Sequence, residues 1–382
     1  MKIYKYFFLI SLASLMISCG GTSEEQLIGD WQRRAVLPRG GRCHAATFVI
    51  GDNGYVVGGF NGSREMRREV FVFSHTGGSG MGSWQQLDPL PDNITARQQA
   101  VGFSVGSFGY VGTGWDGDET TMKDFWKFDP ANDTWTEIAP LPERASPRRG
   151  AFAFSLFVGG KEYGFVGCGF TDRPDNEYLN DLWRFDPAGT TTIDGVEYEG
   201  RWDEVSGQSM GKRVGGVAFV IDNRAYICNG KNPINVNDFW IFDPDGEANG
   251  GHLWTRRRHM YDADPEQDYD DDYGTLSRAF GVAFVVDVSG ELRGHVVGGE
   301  TGFASTCWEY EHGPFDAPVD LWVERTGFFN RNTRQNREGM IAFSFREAGK
   351  AYVGLGRAGL AYYDDMWEFI PLEDDYTYDD YQ

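Results

Sequence analysis

One block recurs six times along this chain, and the recurrence limits its possible folds more than any other feature of the sequence. An arginine is followed six residues later by a phenylalanine in "RCHAATF" at Arg42, "RQQAVGF" at Arg97, "RRGAFAF" at Arg148, "RVGGVAF" at Arg213, "RAFGVAF" at Arg278 and "REGMIAF" at Arg337. Further along each block an apolar run ends in a glycine, at Gly59, Gly114, Gly169, Gly230, Gly299 and Gly356, with intervals of 55, 55, 61, 69 and 57 residues. An aromatic run comes next, centred on Phe71 in the first block and on Trp126, Trp183, Trp240, Trp308 and Trp367 in the others, most clearly as "DFWKFDP", "DLWRFDP" and "DFWIFDP". Similarity at a long, nearly fixed period means one supersecondary unit copied and stacked.

After each aromatic run a second tryptophan follows, at Trp84, Trp135, Trp202, Trp254 and Trp322, but the last block has none. The missing piece stands at the other end: "WQRRAVLP" from Trp31 to Pro38 matches "WQQLDPLP" at Trp84 and "WTEIAPLP" at Trp135 in its step from Trp to the final Pro. Each block thus holds four short apolar or alternating runs broken by Gly, Asn and Asp, which are strand and turn signals. The 51 glycines, 28 Phe, 18 Tyr and 12 Trp suit such an all-β chain. The expectation is all-β: a six-bladed β-propeller over residues 31–370, closed by the N-terminal strand joining the last blade. Side chains alternate along a strand, so the Trp and Phe of "DxWxFDP" share a face and fill the space between sheets, and Asp-Pro ends the strand.

The glycine-paired strand, the Tyr before it and the later Trp resemble the kelch repeat, a likeness that covers nearly all of residues 31–370. It departs from the pattern where Thr113, Cys168 and Leu355 interrupt the glycine pair, where Asn229 replaces its first member, and where Phe71 stands for Trp. The resemblance implies a propeller that binds partners through one mouth of its channel. By strand direction, the loop before each arginine and the loop after each glycine pair share that mouth. Arg42, Arg97, Arg148, Arg213, Arg278 and Arg337 are therefore expected to ring it, beside Phe60, Trp115, Phe170 and Phe303, a subset of the arginines taking a ligand and the alternative for each being a structural role, hydrogen-bonding neighbouring loops as kelch arginines do. Guanidiniums grip carboxylates through paired hydrogen bonds and aromatic faces take sugars or peptide side chains, so the expected ligand is an acidic glycan or a protein partner. A more distant resemblance to the sialic-acid mutarotase group implies an alternative, N-acetylneuraminate epimerase chemistry, with Glu300 or Asp116 as proton carriers and Arg278 and Arg337 as clamps. The six histidines show no set matching the copper site of galactose oxidase, and no CxxC spacing suggests a metal; no cofactor is expected.

A net charge of -22 argues against nucleic acid as a partner. Lys2, Lys5, an apolar run from Tyr6 to Ile17 and "MISCGG" resemble a lipoprotein signal of residues 1–19 ending at Cys19, followed by a polar tether over 20–30. A monomeric propeller lipid-anchored in a bacterial cell envelope, at the outer membrane or cell surface, is the corresponding expectation. Cys43, Cys168, Cys228 and Cys307 fall in different blocks and are expected as buried apolar residues. Ala188–Gly200 and the acidic 262–273 interrupt the repeat, and 371–382 is an acidic tail.

Overall fold

The structure is a computed structural model describing residues 27–63, 66–118, 120–172, 176–207, 210–257, 259–260, 273–300, 305–312, 320–328 and 336–373. Cys19 and its leader, Phe303, the acidic 262–272 and the tail from 374 lie outside the described residues.

A first strand, β1 (Asp30–Arg34), precedes the repeats. Blade 1 contains β2 (Ala46–Ile50), β3 (Asn53–Val57), β4 (Val70–Ser74) and β5 (Ser83–Gln86). Blade 2 contains β6 (Val101–Val105), β7 (Phe108–Gly112), β8 (Phe125–Asp129) and β9 (Thr134–Ile138). Blade 3 contains β10 (Phe152–Val158), β11 (Lys161–Thr171), β12 (Glu177–Ile193) and β13 (Val196–Glu204). Blade 4 contains β14 (Val217–Ile221), β15 (Arg224–Cys228), β16 (Trp240–Phe242) and β17 (Trp254–Arg256). Blade 5 contains β18 (Val282–Val288), β19 (Glu291–Val297), β20 (Cys307–His312) and β21 (Asp320–Arg325). Blade 6 starts with β22 (Ile341–Phe345) and β23 (Lys350–Gly354), carries a small hairpin of β24 (Arg357–Ala358) and β25 (Ala361–Tyr362), and continues with β26 (Met366–Ile370). Its sheet order is β1-β26-β23-β22, with Asp30 opposite Ile370 and Arg34 opposite Met366.

The first strand of each blade touches the first strands of both neighbours, so β2, β6, β10, β14, β18 and β22 form a closed ring around the axis. Their inward positions are small, as at Gly102, Ala153, Ala218, Ala283 and Ala342, which lets six strands converge. There is one apolar wedge at each of the six junctions between blades rather than a single core. The repeated phenylalanine is the centre of each wedge: Phe103 stacks on Tyr110 of its own blade at 5.2 Å and Phe219 on Tyr226 at 5.1 Å. Its other face meets the next blade. A Cβ on Gly109 would drive into the Phe48 ring of blade 1, so the residue before the tyrosine must be tiny.

Three of the outer strands are latched by their tryptophans. Trp84 donates its indole N–H to the Ala35 carbonyl at 2.8 Å, Trp202 to that of Ala139 at 2.9 Å, and Trp31 of β1 to that of Thr326 at 2.9 Å. β1 therefore makes the same latch as an internal strand. The insertion at Ala188–Gly200 prolongs β12 and β13 into a ribbon that turns at Asp194 and Gly195, both at positive φ. Cys43, Cys168, Cys228 and Cys307 are buried free thiols.

Candidate functional site

The repeated arginines do not line an opening. None is more than 3% exposed: Arg42, Arg97, Arg148, Arg213, Arg278 and Arg337 are all turned into their own blades. Blade 3 shows why. Arg148 donates to both carboxylate oxygens of Asp181 at 2.6 and 2.7 Å and to the Cys168 carbonyl at 3.1 Å, while the Trp183 indole donates to the same Asp181 at 2.6 Å. The pattern repeats with Arg97, Asp124 and Trp126, with Arg213, Asp238 and Trp240, and with Arg337, Asp365 and Trp367. The aspartate that opens "DFW", "DLW" and "DMW" is therefore the arginine's partner, and an expected cationic ring becomes a set of internal clamps. Burial alone would raise these carboxyls, but the arginine charge and the hydrogen bonds hold Asp124, Asp181 and Asp238 below their ordinary value.

Two blades vary the clamp. In blade 1, Glu69 stands in the aspartate's place with its oxygen 3.8 Å from Arg42, and in blade 5 Thr306 accepts from Arg278 at 2.7 Å. Burial pulls both guanidiniums down to about 10, which still leaves them charged at neutral pH.

Each clamp fixes a sharp turn. The carbonyl that takes the arginine belongs to Gly58, Thr113, Cys168, Asn229, Gly298 or Leu355, every one of them at positive φ. The residue that follows is always glycine because its geometry admits nothing else: Gly114 has φ 98°, and a Cβ there would sit 2.9 Å from the Gln98 carbonyl. Its freed N–H then reaches the neighbouring blade. Gly59 donates to Arg97, Gly114 to Arg148, Gly169 to Arg213, Gly230 to Arg278, Gly299 to Arg337 and Gly356 to Arg42, all onto the arginine's backbone carbonyl at 2.7 to 2.9 Å. The six links close on themselves.

A second closed cycle forms two residues past each arginine. The amide of His44 donates to the carbonyl of Gly339, Gln99 to His44, Gly150 to Gln99, Gly215 to Gly150, Phe280 to Gly215 and Gly339 to Phe280, at 2.8 to 3.0 Å. All six residues have positive φ. This hoop of peptides is the floor of the mouth, and the rings of His44 and Phe280 meet edge to face at 5.5 Å upon it. Burial, with Arg357 and Arg149 nearby, lowers His44 to about 3, so the imidazole is neutral.

The walls carry paired charge among aromatics. Phe60, Trp115, Phe170, Lys231 and Arg357 bridge to Cys43, Gln98, Arg149, Val214 and Glu338, and each of the five is partly exposed. Phe60, Trp115 and Phe170 thus stand beside the hoop. Besides Arg357, Arg149 is a guanidinium that does reach the mouth: it donates to Asp172 at 2.9 and 3.0 Å and to Gln99 at 3.0 Å, and it lies 5.1 Å from the Phe170 ring and 5.6 Å from that of Trp115. The doubled arginine of "RRG" is its only trace in the sequence. Lys231 pairs with Glu300 at 2.7 Å and Arg357 with Glu338 at 2.6 Å. Asp116 accepts the amides of Asp118 and Thr120 at 3.0 Å and so shapes its own turn. The two residues expected to carry protons are thus engaged, and Arg278 and Arg337 are too deep to clamp a substrate.

Above the walls stand two apolar tips that sequence reasoning missed: Leu360, 95% exposed at the turn between β24 and β25, and Ile234, 77% exposed in the equivalent loop of blade 4. Tyr362 packs edge to face on Phe60 at 5.8 Å beneath the first of them.

Comparison with protein families matches residues 43–256, from the start of blade 1 to the end of blade 4, to the model described as the KLHDC2/KLHL20/DRC7 Kelch-repeats domain. Comparison with curated proteins finds no match.

Proposed function

The chain belongs to the KLHDC2/KLHL20/DRC7 Kelch-repeats domain family, and from that premise we propose that it is a lipid-anchored envelope propeller that docks a protein partner on the hoop-floored mouth. Kelch propellers are in general protein-binding modules. The observation that carries the reading here is the rim itself: Leu360 and Ile234 project large apolar side chains into water above a wall of Phe60, Tyr362, Trp115 and Phe170. Projecting apolar groups over aromatic walls favour a protein surface, because burial of such groups drives association. An acidic glycan is less well served. The six guanidiniums it would need are internal, and Arg149, Lys231 and Arg357 each already hold a carboxylate. Mutarotase chemistry lacks its clamps for the same reason. The leader ending at Cys19 supports export and lipidation.

The test is affinity capture from envelope fractions of the source cells, comparing the wild-type chain with Leu360→Asp/Ile234→Asp. A partner held by the first and lost by the second, with a tenfold or greater fall in affinity once it is purified, is the expected result. Equal capture by both would place docking elsewhere on the molecule. Replacing Cys19 by Ala should move the chain from the membrane to the soluble fraction, read by blotting.

A further inference from the structure

The other end of the channel is built differently. There the inner strands of blades 6, 1, 2 and 3 open onto a cavity of about 430 Å3 whose lining includes Ser104, Ser155, Ser344, Asp52, Glu162 and Arg346. In blades 1 to 5 a two-residue turn joins the first strand to the second. Blade 6 instead uses a 3-10 turn, Arg346–Ala348, which places an arginine at the edge of the opening. Arg346 and Glu162 belong to blades on opposite sides of the axis, yet they line one cavity, with the Arg346 side chain exposed at its edge.

The polar groups around it are not equivalent. Among the described residues Arg346 has no ion-pair partner. Two of the three carboxylates in the lining are engaged: Glu162 accepts the Gly106 amide at 2.7 Å and Asp52 lies 3.1 Å from His75 Nε2, while Glu347 neighbours Arg346 in the chain. Ser344 Oγ accepts the Val285 amide at 2.8 Å, which leaves its own proton to donate. Ser155 Oγ donates to the Ser104 carbonyl at 2.5 Å, which leaves its lone pairs to accept. One cation, one hydroxyl donor and one hydroxyl acceptor therefore line the same open, solvent-filled cavity, with the exposed Arg346 at its mouth.

We propose that this cavity binds a small organic acid, with Arg346 gripping its single carboxylate and Ser344 and Ser155 meeting hydroxyl or amino groups on the rest of the molecule. A planar guanidinium matches a carboxylate through two parallel hydrogen bonds. The volume lies in the range of small-molecule sites, roughly 300 to 1,000 Å3. Asp52, Glu162 and Glu347 in the lining repel a second negative charge, which selects a monoanion over a phosphate dianion. The site is at the opposite end of the channel from the rim, so it stands or falls independently of the docking reading.

The test uses three acid and amide pairs of nearly equal shape: D-glucuronate with D-glucuronamide, L-lactate with L-lactamide, and L-glutamate with L-glutamine. Binding to the whole mature chain is followed by calorimetry and ligand-observed NMR. At least one acid is expected to bind about tenfold more tightly than its amide, the size of one charge-assisted contact. That preference should vanish in Arg346→Gln and persist in Arg357→Gln, the matching change at the other mouth. Unchanged melting of both variants without ligand checks the fold. Failure of every pair to separate, or a preference that survives Arg346→Gln, overturns the proposal.

Discussion

Arg148 and Asp181 show how one contact can hide a function and reveal a fold. Removing the carboxylate leaves a cation that is 0% exposed with only the Cys168 and Ser146 carbonyls to balance it. Asp181→Ala should therefore cost about 3 kcal/mol in denaturant unfolding, with Asp181→Asn recovering part of it through the Trp183 and Arg148 hydrogen bonds. A loss below about 1 kcal/mol would mean that the clamp is not structural. The same residues set the response to acid. Asp124, Asp181 and Asp238 have lowered values in the fold, so the stability they confer is complete above the ordinary carboxylate value near 3.8 and drains as pH falls through the folded ones. His44 acts earlier. The unfolded chain takes its proton near 6.5 and the folded chain only near 3, so acid favours unfolding across that interval and His44 stabilises fully only above it. Melting temperature should begin to fall below about pH 6.5, and His44→Asn, which keeps the left-handed backbone, should delay that decline. The arginines were legible as a repeat, with a structural role open as the alternative to a ligand, but their carboxylate partners were not, because these lie 25 to 33 residues away and sit inside what reads as an aromatic motif. Two of the six partners are not even aspartate, being Glu69 and Thr306.

At the scale of strands, β1 is the informative element. Trp31 is 4% exposed, lies against Phe328, Phe369 and Phe284 in the wedge between blades 5 and 6, and latches to Thr326. Trp31→Ala should destabilise by about 4 kcal/mol by the usual cost of emptying an aromatic site, measured as the midpoint of chemical unfolding. A cost near zero would detach β1 from the cooperative unit. Strand content was readable from the sequence because period-two alternation and glycine punctuation are local signals, and the likeness of "WQRRAVLP" to the internal tryptophan strands located its place in a sheet. The ribbon at Ala188–Gly200 was visible only as a break in the period. Its pairing of Thr191 with Tyr198 around the Asp194 and Gly195 turn depends on cross-strand register, which nothing in the spacing specifies. The apolar tips at Ile234 and Leu360 were likewise invisible, since a lone aliphatic residue in a loop looks the same whether it is covered or bare.

For the whole molecule, the first and last described strands meet where β1 and β26 pair, and Gly29 donates to the Glu373 carbonyl at 3.1 Å. A circular permutant that joins residue 373 to residue 27 through a short glycine linker and opens the turn at Gly159 and Gly160 should fold, with one unfolding transition by circular dichroism. Loss of cooperativity would show that the order of synthesis, not the ring, dictates assembly. The peptide hoop beneath the mouth has a further bearing on what such a ring can attract. In a helix the peptide dipoles line up and their sum draws ions to an end. In the circuit from His44 through Gly339, Phe280, Gly215, Gly150 and Gln99 back to His44 each dipole follows the next around a circle, so the components in the plane of the ring cancel instead of adding end to end as they do along a helix. The pedestal therefore has no charged end of the helical kind, and preference for charge at that entrance is written largely in side chains, where one substitution can rewrite it.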